Sequence, residues 1–262
     1  MNILEEIVLY KKQIVEEKKR TTSLSSLITH SEQRSVKRDF KAALKLSNTI
    51  ALIAEIKKAS PSAGMLRKNF DPVGIAQIYE EEKSVNAISI LTEDKYFLGD
   101  PSYLESVSTI VSKPILCKDF IIDEYQIVEA ASLQADAVLL ISSILNDKDI
   151  KNMLRVVSDC GLCALIEAHT HDDIKRALDA GADIIGINNR DLTNFSVDIS
   201  TTEHLINEIP NNVVKVSESG IRTHHDIVRL KECGVHAALI GEHFMRADNI
   251  KQCITELMMH EQ

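Results

Sequence analysis

The chain is organised around residues 50–64, which read Ile50-Ala51-Leu52-Ile53-Ala54-Glu55-Ile56-Lys57-Lys58-Ala59-Ser60-Pro61-Ser62-Ala63-Gly64. The apolar run at the start of this stretch is typical of a buried strand. Because side chains alternate between the two faces of a strand, Glu55 and Lys57 should point the same way where it ends. The small polar residues that follow predict a loop through which a ligand can approach the backbone. One such acid–base pair is more simply a surface ion pair, so the case for a site depends on its recurrence.

An apolar run followed by a polar end does recur along the chain. Further strand-like runs begin near Asn86, Pro114, Asp136, Leu162, Asp183, Val213 and His236. Helical patterns fill the intervals, over 71–83, 103–111, 123–133, 147–158, 171–180, 201–208, 223–233 and 247–259. Alternating strands and helices pair in parallel, and eight such units in 262 residues predict an α/β fold, a closed (β/α)8 or TIM barrel. An open doubly wound sheet is the alternative, but its Gly-x-Gly-x-x-Gly turn does not follow the first strand.

The first 48 residues precede the barrel pattern. Residues 2–19 carry the apolar stripe of an amphipathic helix, residues 21–26 form a polar link, and residues 35–46 predict a second helix. We expect a single (β/α)8-barrel domain over residues 1–262, with residues 1–48 as a helical extension. That extension either covers one end of the barrel or simply packs against it.

Composition narrows the possible partners and compartments. The net charge of -9, the absence of Trp and the 4% of aromatic residues argue against a nucleic acid or an anionic membrane as partner. No apolar run approaches the roughly 20 residues that span a bilayer, and the start has no signal-peptide pattern. Five cysteines suit a reducing cytosol, so we expect a cytoplasmic protein. We also expect either a monomer or a weak homodimer. The lone C-x-x-C of Cys160 and Cys163 is interpreted as packing.

Charged residues follow most of the predicted strands. In a (β/α)8 barrel the carboxyl ends of the strands form one rim, and that rim carries the chemistry. Lysines and carboxylates that converge there acquire shifted pKa values and suit general acid–base catalysis. A polar strand end is ordinary by itself, and Glu93 is explained as well by its position as by a function. The charged residues at the ends are Glu55, Lys57, Glu93, Lys118, Asp119, Glu167, Arg190, Asp191, Glu218 and Glu242.

The last two strand ends indicate a phosphate site. Ser219-Gly220 and Gly241-Glu242 can present backbone N–H groups to an anion, as barrels of this kind often do at this place. Ser60 should lie on the same rim.

A metal site is the alternative interpretation of a neighbouring segment. Glu167, His169 and His171 alternate along a strand and its end. We predict that both histidines are surface imidazoles, because no other strand end supplies a further histidine.

These strand ends resemble those of the indole-3-glycerol phosphate synthase family, (β/α)8-barrel enzymes of tryptophan biosynthesis. The resemblance covers every strand between about residues 50 and 245, while the first 45 residues match only as extra N-terminal helices. One departure is His243-Phe244, since smaller residues are more usual there. The matching motifs, in the family's order, are residues 55–64, Leu91-Thr92-Glu93-Asp94-Lys95-Tyr96-Phe97, residues 117–123, Ile166-Glu167-Ala168-His169, residues 186–192, Ser217-Glu218-Ser219-Gly220-Ile221 and Gly241-Glu242.

The resemblance implies a reaction without cofactor or metal. The phosphorylated small molecule 1-(2-carboxyphenylamino)-1-deoxyribulose 5-phosphate becomes indole-3-glycerol phosphate, with loss of CO2 and water. Lys118 would be the general acid of ring closure, and Glu167 and Lys57 would share the acid and base roles of dehydration. The other implied site residues are Glu55, which orients Lys57; Asn188, Arg190 and Glu218, which position the substrate; and Ser60, Phe120, Ser219, Gly220, Gly241 and Glu242, which bind it, most of them at the phosphate.

Two other functions stay open. Lys118 beside Glu167 at a strand end also suits a Schiff-base aldolase. A non-catalytic phosphosugar-binding protein is the third possibility. Such a binder needs only the phosphate end, so the presence of both lysines and Glu167 favours an enzyme.

Overall fold

The structure, a computed structural model, describes residues 2–34, 36–47, 49–191 and 195–259. Eight parallel strands close into a barrel in which each strand pairs with the next along the chain and the last pairs with the first. The predicted (β/α)8 barrel is therefore confirmed, and the open sheet is wrong. The barrel strands are β1 Ala51–Ile56, β2 Val85–Leu91, β3 Ile115–Lys118, β4 Ala137–Ile141, β5 Cys163–Ala168, β6 Ile184–Asn188, β7 Val214–Glu218 and β8 Ala237–Ile240.

Helices precede the barrel and connect its strands. They are α1 Ile3–Thr21, α2 Leu24–Glu32, α3 Phe40–Ala43, α4 Pro72–Glu81, α5 Ser102–Ser108, α6 Glu124–Ser132, α7 Asp147–Asp159, α8 His171–Ala180, α9 Ser200–Leu205, α10 His224–Glu232, α11 Glu242–Arg246 and α12 Ile250–Met258. The helix predicted over 247–259 begins later, because the Asn249 side chain caps α12 by accepting a hydrogen bond from the Gln252 N–H. Within the described ranges, no helix combines the length and the apolarity that crossing a membrane requires.

The alternation of strand side chains divides the core into an inner and an outer layer. In β1, Ala51 and Ile53 pack with the inward-facing residues of other strands, whereas Leu52 and Ala54 pack with the surrounding helices. The same alternation continues past the apolar part of each strand, so Glu55 follows Ile53 onto the inner side. The barrel interior is thus mainly apolar, apart from the buried Ser89 of β2, and becomes charged at the carboxyl ends of its strands.

The N-terminal extension differs from the prediction. Its first helix is confirmed as α1, but the predicted polar link over 21–26 contains the start of α2, because the Ser23 side chain caps that helix at the Ser26 N–H. Leu27 of α2 packs against Tyr125 and Val128. The helix predicted over 35–46 is wrong except for α3, and its first residue, Ser35, lies outside the described residues.

A buried ion-pair cluster explains why residues 36–38, before α3, are not helical. Arg34 and Arg38 both bind Asp136, at 2.8 Å and 3.2 Å between guanidinium nitrogen and carboxylate oxygen. Asp136 precedes β4, and its second oxygen also accepts the Ile115 N–H of β3 at 2.9 Å. The Arg38 N–H also donates to Asp136 Oδ1 at 3.1 Å, so it does not make the bond to the Arg34 carbonyl that a helix would require, and the contacts with Asp136 override the local helical pattern.

Candidate active site

One cavity of about 520 Å³ opens at the carboxyl ends of the strands. All of the site residues predicted from the sequence line it: Glu55, Lys57, Ser60, Lys118, Phe120, Glu167, Asn188, Arg190, Glu218, Ser219, Gly220, Gly241 and Glu242. Strand alternation explains the position of those that belong to strands, because each lies two residues after an inward-facing residue. The structure thus brings the set together, and the role of each member stays a prediction.

Lys118 lies at the centre of a buried acid–base cluster. Its Nζ is 3.5 Å from the nearest carboxylate oxygen of Glu167 and 3.5 Å from that of Glu218. Burial alone would lower the pKa of Lys118, but the charges of Glu218 and Glu167 outweigh it and raise the pKa above its ordinary value. Lys118 is therefore a cation at neutral pH, with a proton to give.

The pKa values of the two carboxyl groups beside Lys118 are shifted in opposite directions. Burial raises the pKa of Glu218 to about 8, with Lys118 opposing and Glu167 and Glu55 adding to the shift. Burial would raise the pKa of Glu167 as well, but Lys118, His169 and a hydrogen bond from Asn188 outweigh it and lower the pKa. The Asn188 Nδ2 donates to Glu167 Oε1 at 3.1 Å. Glu167 is thus the stronger acid of the pair and Glu218 the weaker one.

Glu55 and Lys57 form a second acid–base pair on the rim. Their side chains approach to 2.5 Å between Nζ and Oε2, as the two-residue spacing predicts. Glu55 is buried, and a Cβ atom at Gly241 would collide with its carboxylate. Gly241 is therefore required by the close approach of the β8 end to the β1 end.

Backbone turns shape the end of the cavity where the sequence predicts a phosphate. Ser219 and Gly220 both adopt left-handed conformations, with φ of 69° and 82°. Such consecutive turns allow backbone groups to face an anion. Gly241 precedes α11, whose first residue is Glu242.

Arg190 connects three parts of the cavity wall. Its guanidinium donates to Ser62 Oγ at 3.1 Å in the loop after β1 and to Glu242 Oε2 at 3.2 Å in α11. Because both partners are exposed to the cavity, a bound anion can compete with them for the guanidinium.

Sequence reasoning missed several residues that line the same cavity. Arg222 and Arg246 bring two further cations, and Phe97 and Phe195 bring aromatic walls. His243, at the departure from the family pattern, also lines the cavity, and burial lowers its pKa. Arg246 could have been predicted, because it follows Glu242 by four residues, a spacing at which opposite charges pair on a helix. The two side chains do pair, at 3.0 Å.

The prediction that both histidines after β5 are surface imidazoles is wrong for His169. His171 is exposed and pairs with Glu208 at 2.6 Å. The side chain of His169 is only 17% exposed, and its Nε2 is buried 3.5 Å from Glu167 Oε1. The two-residue spacing could have predicted that His169 lies near Glu167, because alternate residues of a strand share a face.

Glu93 has a structural explanation. It is fully buried and accepts hydrogen bonds from the N–H groups of Lys95, Tyr96 and Phe97. Those bonds hold the loop after β2, and Phe97 in turn packs against Phe120 with ring centroids 5.9 Å apart. Glu93 thus acts on the cavity through the loop that it anchors.

The fold and the site together define a class of protein. A closed barrel that has a buried acid–base cluster at its strand ends, beside turns suited to an anion, is typical of barrel enzymes that act on small phosphorylated substrates. Residues 4–257 match the family model described as indole-3-glycerol phosphate synthase. The chain belongs to the indole-3-glycerol phosphate synthase family.

Curated relatives agree with the family model. A protein of Thermoanaerobacter pseudethanolicus named indole-3-glycerol phosphate synthase is 51% identical over 244 residues, covering 93% of this chain and 92% of its own. A protein of Alkaliphilus metalliredigens with the same name is 44% identical over 255 residues, covering 97% of each chain.

Solved structures with similar folds are more distant in sequence. A crystal structure of 3-hexulose-6-phosphate synthase has a TM-score of 0.62 at 16% identity and covers 80% of this chain and 98% of that one. A mandelate oxidase structure has a TM-score of 0.60 at 14% identity, covering 90% and 84%. At these identities the similarity shows the barrel fold alone.

Proposed function

We propose that this chain converts 1-(2-carboxyphenylamino)-1-deoxyribulose 5-phosphate to indole-3-glycerol phosphate, as a carboxy-lyase of tryptophan biosynthesis. Membership of the family supports the reaction. The observation that carries the mechanism is the position of Lys118, 3.5 Å from both Glu167 and Glu218 at the base of the cavity.

Ring closure needs a proton donor. The aromatic carbon that bears the carboxylate attacks the ketone carbon of the sugar chain, and the ketone oxygen takes up a proton as the new C–C bond forms. Lys118 donates that proton, because its raised pKa keeps it charged at neutral pH. Loss of CO2 then returns the electron pair of the C–COO⁻ bond to the ring and restores its aromaticity.

Dehydration needs an acid and a base together. The hydroxyl formed in the first step leaves as water when it is protonated, and a proton leaves the ring system to form the indole. Glu167 is the base, since its lowered pKa keeps it ionised. Lys57 is the acid, held by Glu55 at 2.5 Å.

Binding groups surround this cluster. Ser60, Ser219, Gly220, Gly241 and the backbone of Glu242 hold the phosphate, and Arg190 and Asn188 position the carboxylate and hydroxyl groups. Phe120 forms an apolar wall against the aromatic ring. Fixing the phosphate at one end orients the reacting carbons at the other.

The charge state of Lys118 distinguishes this reaction from aldolase chemistry. A Schiff base forms from a neutral amine, whereas the pKa of Lys118 is raised. Borohydride treatment with substrate is expected to leave Lys118 unmodified. A reduced adduct on Lys118 would instead support the aldolase.

Indole fluorescence tests the proposed reaction. The chain has no Trp, so its own emission in this range is low. Purified protein with the carboxyphenylamino substrate should produce rising indole emission and release CO2. Tight substrate binding without emission or CO2 would contradict the proposal and favour the phosphosugar-binding protein.

A further inference from the structure

His169 holds a buried ring nitrogen without a hydrogen bond. Its Nε2 lies 3.5 Å from Glu167 Oε1 and has no hydrogen-bond partner among the residues that the structure describes. A buried polar atom left without a partner costs free energy, so it calls for an explanation. The carboxylate at this distance is the one to which the proposed function gives the role of base.

The backbone of His169 is fixed by the start of the next helix. Its N–H donates to Asp173 Oδ2 at 3.1 Å, and the Thr170 N–H and hydroxyl donate to the same oxygen. Thr170 and Asp173 form the capping box of α8. The imidazole is therefore attached to a rigid element beside Glu167.

Glu167 has room for a second hydrogen bond on the side of His169. Oε2 faces Lys118 at 3.5 Å, and Oε1 accepts one hydrogen bond from Asn188 at 3.1 Å. A carboxylate oxygen can accept two. His169 is not among the described residues that line the cavity, so its imidazole leaves the substrate side of Glu167 free.

We propose that His169 is a positioning residue for Glu167, whose Nε2–H hydrogen-bonds Oε1 once the cavity is occupied. A shift of about half an ångström converts the present separation into a charge-assisted hydrogen bond. This bond stabilises the ionised carboxylate and holds it towards the proton that dehydration removes. The inference rests on the proposed function, in which Glu167 is the base.

Two matched substitutions separate the hydrogen bond from packing. His169→Gln keeps an N–H donor near the position of Nε2, and His169→Met has a similar length and no donor. We expect kcat of His169→Met to fall about tenfold with KM nearly unchanged, and His169→Gln to recover most of that loss. Equal losses in both variants, or a change confined to KM, would overturn the proposal. Thermal midpoints establish that both variants fold.

Nitrogen-15 NMR of the imidazole, recorded with the cavity filled by indole-3-glycerol phosphate, tests the same contact without turnover. The His169 signals are identified by their loss in His169→Gln. We expect a protonated Nε2 whose chemical shift moves in Glu167→Gln. An Nε2 that carries no proton, or that is insensitive to Glu167→Gln, would refute the contact even in a protein that forms indole. A protein that forms no indole but passes this test would contradict the function alone.

Discussion

The acidity of Glu218 depends on its burial in the fold. Its carboxyl has an ordinary pKa of 4.5, and burial, with Glu167 and Glu55, raises it to about 8 against the opposing effect of Lys118. Glu167, at a similar distance from Lys118, has a lowered pKa. Neighbouring acids whose pKa values are shifted apart are a recurring feature of acid–base sites.

The raised pKa of Glu218 predicts how stability depends on pH. Between pH 4.5 and about 8 the folded chain holds a proton on Glu218 that the unfolded chain has lost, so stability falls as pH rises through this window. Urea denaturation gives the free energy of unfolding of the wild type and of Glu218→Gln at each pH. Between pH 5 and pH 8 the wild-type value should fall by about 1–3 kcal/mol more than that of the variant. The exposed Glu105→Gln is the control, and a difference that is constant with pH would contradict the assignment.

Gly241 is predicted to control the Glu55–Lys57 pair. In Gly241→Ala the new methyl group would collide with the Glu55 carboxylate and move it away from Lys57. We expect kcat to fall about tenfold or more, because the proposed acid loses its partner. Shortening the acid in the double variant Gly241→Ala, Glu55→Asp should recover part of the loss. If the fold-losses in kcat of the two single variants simply multiply in the double variant, the contact between residue 241 and Glu55 has no part in the defect.

The helix α1 connects the N-terminal extension directly to the end of β3. Lys11 of α1 is buried and binds Asp119, the residue after Lys118, at 2.7 Å. Asp119 also accepts hydrogen bonds from the Thr92 hydroxyl at 2.6 Å and the Phe120 N–H at 2.7 Å. The extension therefore fixes the end of β3 and the loop that carries Phe120.

Removing the Lys11 side-chain charge should destabilise the protein and disturb the site. Lys11→Met leaves Asp119 buried without its cation, which typically costs about 3–5 kcal/mol. We expect urea denaturation to show a loss of that order, together with a raised KM from displacement of Phe120. The exposed Lys12→Met is the matched control. Equal stabilities of the two variants would show that the Lys11–Asp119 pair contributes nothing.

Sequence periodicity predicts the barrel and the catalytic rim, but it does not predict contacts between distant elements. The two-residue alternation places Glu55, Lys118, Glu167 and Glu218 inside the barrel because each continues an apolar strand. The Lys11–Asp119 pair joins residues far apart in the chain, and no local pattern encodes it. The start of α2 was missed because serines suit both polar links and helix caps. The non-helical conformation of residues 36–38 depends on contacts with the distant Asp136.

For the molecule as a whole, charge is distributed to suit an anionic substrate. The chain carries a net charge of -9, yet the cavity wall includes Lys57, Lys118, Arg190, Arg222 and Arg246. This local concentration of cations offsets the acids of the site. We also propose that residues 1–48 belong to the same domain as the barrel, a proposal supported by the buried ion pairs that Lys11, Arg34 and Arg38 make with barrel residues.

The kinetics of Lys118→Met test the central role of Lys118 most directly. Met has a similar length without the ionisable group, so binding should survive while the proton donor is lost. We expect indole emission under saturating substrate to slow by about 10²–10⁴-fold, with the substrate dissociation constant from calorimetry changed less than about threefold. The exposed Lys68→Met should match the wild type. A Lys118→Met protein that closes the ring within tenfold of the wild-type rate would show that the proton of ring closure comes from another group.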